Sequence, residues 1–158
     1  MQISSRFTIA MQILTCIDVY EGQELTTSEF LASSVNVNPV IIRKILQQLK
    51  AAELVTVKRG SGGASLARSA AQITLYDVFE AVESLEDGQL FHFHDYPNPN
   101  DPVGRNIHAV MDPRLLRVQE AMEGELKRMT LSQVIADIKP YIERDAEERA
   151  KKRAAWDL

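Results

Sequence analysis

Apolar positions recur along this chain first at helical spacing and then at strand spacing. In residues 5–20, SRFTIAMQILTCIDVY, the positions Phe7, Ala10, Met11, Leu14, Ile17 and Val19 fall mostly on one face, which predicts a helix begun by Ser4 and Ser5. A polar turn, Glu21-Gly22-Gln23-Glu24, separates it from a short helix capped by Thr27 or Ser28 and running through Leu31. Val35-Asn36-Val37-Asn38 breaks the period, and Pro39 opens a longer helix at its first turn. There Val40, Ile41, Ile45, Leu46 and Leu49 predict one buried stripe, with Arg43, Lys44 and Lys50 left to face elsewhere. Leu54 to Lys58 then alternates as a strand, Arg59-Gly60-Ser61-Gly62-Gly63 supplies residues that tolerate positive φ, and Ala64 to Ala67 returns as the partner strand. Short helix, turn, longer helix and basic hairpin, in that order, predict a winged helix-turn-helix: mainly α, with a small β-hairpin wing.

Beyond the hairpin, Thr74 caps a further amphipathic helix whose apolar positions, Val78, Phe79, Ala81, Val82 and Leu85, carry it to about residue 86. Residues 87–112 hold three prolines between Pro97 and Pro102 and all three histidines, which predicts an irregular sensor or linker loop. Helical spacing returns near Val103 and is full from Pro113. Leu115, Leu116, Val118, Met122, Leu126 and Met129 form an apolar stripe edged by charges, and a helix with that much apolar surface predicts a second copy of the chain as its partner. Thr130-Leu131-Ser132 restarts a shorter helix over Val134, Ile135 and Ile138, with Pro140 a kink or a new start. Residues 143–155 are charged throughout and predict a solvated or frayed helix. The expected division is a winged domain over 1–86, a loop over 87–112 and a helical dimerisation region over 113–158, whose long helix could start near 103.

Composition changes the picture in two respects. The chain has 158 residues, one cysteine and no apolar run near the roughly 20 residues that span a bilayer. Its start, MQISSRFTIA, lacks the pattern of a secretory leader, so a cytoplasmic address is expected. The formal charge of −4 argues weakly against nucleic acid as a partner, but its distribution argues for it. Between residues 43 and 68 six cations face only Glu53, whereas the last 78 residues hold 11 cations against 15 acids. Ser4, Ser5 and Arg6 open the first helix, where two hydroxyls and a cation can meet a phosphate; plain capping is an equal reading.

Ser4-Ser5-Arg6-Phe7, the segment VNPVIIRKILQQLKAAELV, the wing Val57-Lys58-Arg59-Gly60-Ser61-Gly62-Gly63-Ala64, and Ile73-Thr74-Leu75 leading into Asp77-Val78-Phe79-Glu80 together resemble the Rrf2-type winged-helix transcription regulators of bacteria. The resemblance covers nearly the whole chain. It implies a homodimeric DNA-binding regulator, a repressor, whose recognition helices enter successive major grooves while the wings reach the adjacent minor groove. The residues it places on DNA are Ser4, Ser5, Arg6, Ser28, Asn38, Pro39, Val40, Arg43, Lys44, Lys50, Lys58, Arg59, Gly60, Ser61, Gly62 and Gly63. Of these, Asn38, Val40 and Arg43 suit base edges, Arg59 suits a narrow minor groove, and the lysines suit phosphate. Many relatives carry three cysteines in the loop before the dimerisation helix, as cluster ligands or a redox switch. This chain has none there, and Asp101 stands where a cysteine often stands, so no iron-sulfur cluster is expected.

His92-Phe93-His94-Asp95 with His108 is the one metal-like grouping; imidazole and carboxylate suit several divalent ions, but an irregular loop holds ligands poorly, and no metal is assigned. His92, His94 and His108 remain candidates for sensing an unidentified small molecule or ion. Cys16, among apolar neighbours of the first helix, reads as a structural thiol first and a sensor second. No phosphate loop, nucleophile motif or spaced carboxylate pair appears, and the Gly60–Gly63 turn joins two strands where a dinucleotide fold needs a strand and a helix, so an enzyme is not expected. The alternative is a winged-helix interaction module without DNA binding. The retention of a basic face from Arg43 to Arg59 argues against it.

Overall fold

Helix α1 (Ser5–Val19) is the element around which the others are packed, touching four further helices and the hairpin. The computed structural model describes residues 4–60, 62–83, 85 and 88–156. Ser4 caps α1, its hydroxyl accepting from the Arg6 amide, and the helix buries Ala10, Ile13, Leu14, Cys16 and Ile17, so it is apolar on more than the single face its spacing suggested. Helices α2 (Ser28–Val35) and α3 (Pro39–Ala51) follow as the helix-turn-helix. Strands β1 (Val55–Val57) and β2 (Ala64–Leu66) pair antiparallel, Val55 opposite Leu66 and Val57 opposite Ala64. A 3-10 turn (Ala70–Gln72) leads to α4 (Leu75–Val82), begun by a reciprocal capping box between Thr74 and Asp77. The fold is mainly α with a two-stranded wing, as the sequence predicts.

Two boundaries differ from expectation, and a third falls at the earlier of two expected starts. Helix α4 ends at Val82, not near residue 86; Glu83 leaves with an extended backbone, and its carboxylate accepts from the Ser4 hydroxyl at 2.8 Å. Helix α5 (Pro102–Arg128) takes the earlier expected start, within a residue of Val103, and incorporates Pro113. The start is local chemistry: Asp101 accepts from the Gly104 amide at 2.8 Å and Pro102 takes the first helical position, where its missing N–H costs nothing. Gly104 is required there, because a β-carbon would collide with the Asn98 carbonyl. Asp101 is thus a helix cap. Finally, α6 (Leu131–Trp156) is one helix through Pro140 rather than a short helix with a restart. Pro140 deprives the Ala136 carbonyl of its partner, and Ala136 is exposed, so water can take the bond.

The start of α6 belongs to the winged domain, not to a separate helical region. Leu131 is fully buried and Ile135 nearly so in the same core as Ile42, Ile45, Leu49, Leu54, Ile73 and Val78. A two-residue bridge fastens it: the Leu75 amide donates to Met129 and the Leu131 amide to Ile73, both at 2.9 Å. Helix α5 therefore leaves the domain and α6 re-enters it. The charged residues 143–155 are exposed throughout. Among the described residues, no helix is long and apolar enough to cross a membrane.

Candidate nucleic-acid interface

Two features aim α3 outward. Asn36 takes a left-handed conformation, φ 60°, which ends α2 and turns the chain, and Asn38 then caps α3 by accepting from the Val40 amide at 2.9 Å. The buried stripe of α3 is Ile42, Ile45, Leu46 and Leu49. Val40 and Ile41, expected in that stripe from apolarity alone, are 50% and 41% exposed, because the core takes the face centred one residue later. At 100° per residue the face opposite the core carries Val40, Lys44 and Gln47, with Arg43 and Lys50 along one edge, all of them exposed. Gln47 was missed by the sequence reading. Its place one turn beyond Arg43 and Lys44 was the available signal, and an amide can pair with the adenine edge. Asn38 keeps its NH2 for outward contact, since only its oxygen is engaged by the cap.

Arg43 is held. Its Nη2 donates to Glu29 Oε1 at 2.7 Å, joining the recognition helix to the first turn of α2, beside the half-buried Ser28. The backbone N–H of Glu29 and then the Arg43 guanidinium hold the Glu29 carboxyl below its ordinary pKa.

The wing is moored at its base. Thr26, buried just before α2, donates its hydroxyl to the Ala64 carbonyl at 2.7 Å and accepts the Ala64 amide at 3.1 Å on its own carbonyl. Gly63, at φ +69°, has a backbone conformation that side chains rarely adopt and would bring a β-carbon tightly against the Thr26 backbone, at 3.1 Å, and a β-carbon at Gly62 would strike Lys58. Lys58 and Arg59 project from this hairpin, exposed, with Gly60 at φ +78° beyond them; Ser61 lies outside the described residues. Lys50 and Arg68 line an open groove between the end of α3 and the hairpin. At the start of α1, Ser5 and Arg6 are exposed, while the Ser4 hydroxyl is committed to Glu83.

The histidines cluster only in part. His108 Nδ1 lies 3.0 Å from Asp112 Oδ1 and its Nε2 lies 2.7 Å from the His94 carbonyl. Both partners are acceptors, and a neutral imidazole has one N–H, so both bonds are made only by the protonated ring. The Asp112 carboxylate first, and the His94 carbonyl second, accordingly raise the His108 pKa above the ordinary value. Gln119 adds a second tie between α5 and the preceding segment, accepting from the Leu90 amide at 2.9 Å and donating to the Gly88 carbonyl at 2.8 Å. Between these ties, Phe91, Phe93, Leu115 and Leu116 line a cleft of about 370 Å³. His92 and His94 are exposed. Cys16 sits elsewhere, buried in α1 with Sγ 3.2 Å from Ser34 Oγ.

The six residues expected to form the dimer face divide. Leu115, Met122, Leu126 and Met129 are half-buried on the side of α5 that faces its own chain, where Lys127 lies over the Tyr76 ring at 4.3 Å. Val118 is open, and with Val103, Val110 and Met111 it forms an exposed apolar stripe along the adjoining flank of the helix; Leu116 borders the cleft. Not one residue of the 27 in α5 is buried.

A helix-turn-helix with a moored hairpin wing defines a winged-helix protein, and comparison with known proteins places it more narrowly. Residues 3–137 match the Rrf2 family, described as iron-dependent transcriptional regulators, and the chain belongs to that family. It is similar to YwnA of Bacillus subtilis (strain 168), designated a candidate HTH-type transcriptional regulator, with 41% identity over 133 residues that cover 84% of this chain and 96% of YwnA. A crystal structure of a candidate DNA-binding protein is 37% identical, with a TM-score of 0.67 over 83% of this chain and 99% of the other. IscR of T. potens shares the fold at 19% identity, with a TM-score of 0.66 over 89% of this chain and 90% of that one. The protein is a winged-helix transcriptional regulator and not an enzyme.

The iron chemistry of the family does not fit the donor set of this chain. Its one cysteine is buried against Ser34, and among the described residues no three histidine, cysteine, aspartate or glutamate side chains gather as metal ligands.

Proposed function

We propose that this chain is a sequence-specific repressor that binds duplex DNA as a homodimer on a palindromic operator. The observation that carries the reading is the outward face of α3, with Val40, Lys44 and Gln47 and with Arg43 at its edge, set beside a wing that carries exposed Lys58 and Arg59 and is moored at its base by Thr26. Bases would be read by Arg43, Asn38 and Gln47 in the major groove and by Arg59 in the minor groove, with Lys44, Lys50 and Lys58 on phosphate. The second copy would cover the open stripe of α5, setting the recognition helices about 34–36 Å apart, one helical turn of DNA. Repression then requires only occupancy of the operator. Capture of genomic fragments by the purified protein, followed by sequencing, tests this: a shared palindromic motif supports it, and no preference for any fragment at moderate salt, with or without cell extract, refutes it.

The same reading includes a regulator that works without an iron-sulfur cluster, because a lone buried thiol cannot replace several thiolates. Anaerobic purification with iron and sulfide should return a colourless protein; stoichiometric iron with cluster absorbance would overturn this. A small-molecule or ion signal, if the protein takes one, would act where His108 and Gln119 tie residues 88–94 to α5, since that joint links the winged domain to the dimer helix.

A further inference from the structure

The Glu29–Arg43 pair lies on the face assigned to DNA, where a carboxylate is out of place. Its side chains are 67% and 52% exposed, and an ion pair so wet adds little to stability. Its consequence is for the guanidinium. An arginine near the start of a recognition helix has two competing destinations, a phosphate oxygen, which is the same at every sequence, and the O6/N7 edge of guanine, which is not. Glu29 engages one N–H on Nη2 and leaves the remaining donors of the fork free. A fixed carboxylate also repels phosphate, so it weakens binding to every duplex alike while leaving the guanine edge, which is uncharged, accessible to the free donors.

We propose that Glu29 is a positioning residue for base reading: it holds Arg43 off the phosphate backbone and presents the free edge of the guanidinium to a guanine in the major groove. This rests on the DNA-binding function proposed above. Sequence order hides the arrangement, since Glu29 and Arg43 are fourteen residues apart and meet only because the Asn36 turn folds α2 against α3.

The test compares the unaltered protein with E29Q, R43A and E29Q/R43A on the duplex recovered by genomic capture and on a scrambled duplex of equal length, across a salt series. E29Q should bind the scrambled duplex about threefold more tightly, with a salt slope steeper by about 0.9, the signature of one added phosphate contact. Its preference for the captured sequence should fall roughly tenfold, and the loss should concentrate at the same G·C position that R43A relaxes. The double variant should discriminate no worse than R43A alone. E29D, which keeps the charge, should restore part of the preference. An E29Q protein with unchanged preference, or with both duplexes weakened equally, would overturn the role of Glu29 while leaving DNA binding intact. Absence of any preference in the unaltered protein would instead overturn the function itself. A lowered melting temperature in E29Q, with both affinities falling together, would assign the pair to stability and also overturn the proposal.

Discussion

The recognition face and helix α5 are built on opposite terms. Every piece of the first is fixed within one chain: Asn38 caps α3, Thr26 moors the wing, Glu29 holds Arg43, and four apolar side chains of α3 anchor the helix in the core. Helix α5 is twice as long, buries nothing completely, and leaves Val103 70%, Val118 53% and Val110 47% exposed. A surface that must meet a rigid duplex is finished before binding, which limits the ordering cost of association. In the proposed dimer, a second copy would complete the packing of that open apolar stripe.

The sharpest way to break that contrast is to charge the open side. Val110→Glu or Val118→Glu should raise the dimer dissociation constant roughly 100-fold, about 3 kcal/mol, because a carboxylate would be stranded in an apolar seam. Sedimentation equilibrium checks it, and the variants should keep the thermal stability of the winged domain. Leu126→Glu should differ in kind. Leu126 is half-buried against its own chain, so the substitution should lower the melting temperature as well, and a variant that became monomeric without losing stability would show that the two sides of α5 are assigned wrongly.

A smaller effect is expected on the finished face. Arg43→Ala should cost about 1–3 kcal/mol on the operator and relax the preference at one position, whereas Lys44→Ala should weaken all sequences evenly and reduce the salt slope by about one. Competition binding on operator variants separates the two outcomes. Equal loss of preference in both would mean that Lys44 reads bases.

The smallest effect should come from the joint between the two regions. The folded-state pKa of His108 is raised, so the clamp on His94 contributes fully below the ordinary imidazole value of about 6.5 and is lost as pH rises through the raised value. Amide exchange at Leu90 to His94 should therefore quicken with rising pH by more than base catalysis explains, and His108→Gln should remove that excess. Exchange in His108→Gln indistinguishable from the unaltered protein at every pH would dismiss the clamp.

Local signals in the sequence determined most of the fold. Helix caps at Ser4, Thr27, Asn38 and Thr74, proline at the first position of α3, and glycines at positive φ in the wing all act within a few residues, so they could be read before any packing was known. The start of α5 was written equally locally, in Asp101-Pro102, but three prolines close together left a start near 103 and one at Pro113 both open. What tertiary structure alone decided were the choices between equivalent apolar faces. Val40, Ile41 and Ile42 are similar in hydrophobicity, and only the position of the core against α3 buries Ile42 and exposes the other two. The same holds for α5, where contact with α4 and residues 88–93 uses Leu115 and Leu126 and frees Val110 and Val118. The return of Leu131 to the winged core, the meeting of Glu29 with Arg43, and the His108 clamp join residues distant in sequence. Spacing along a chain carries no record of such contacts, because they depend on the angles at which finished helices pack.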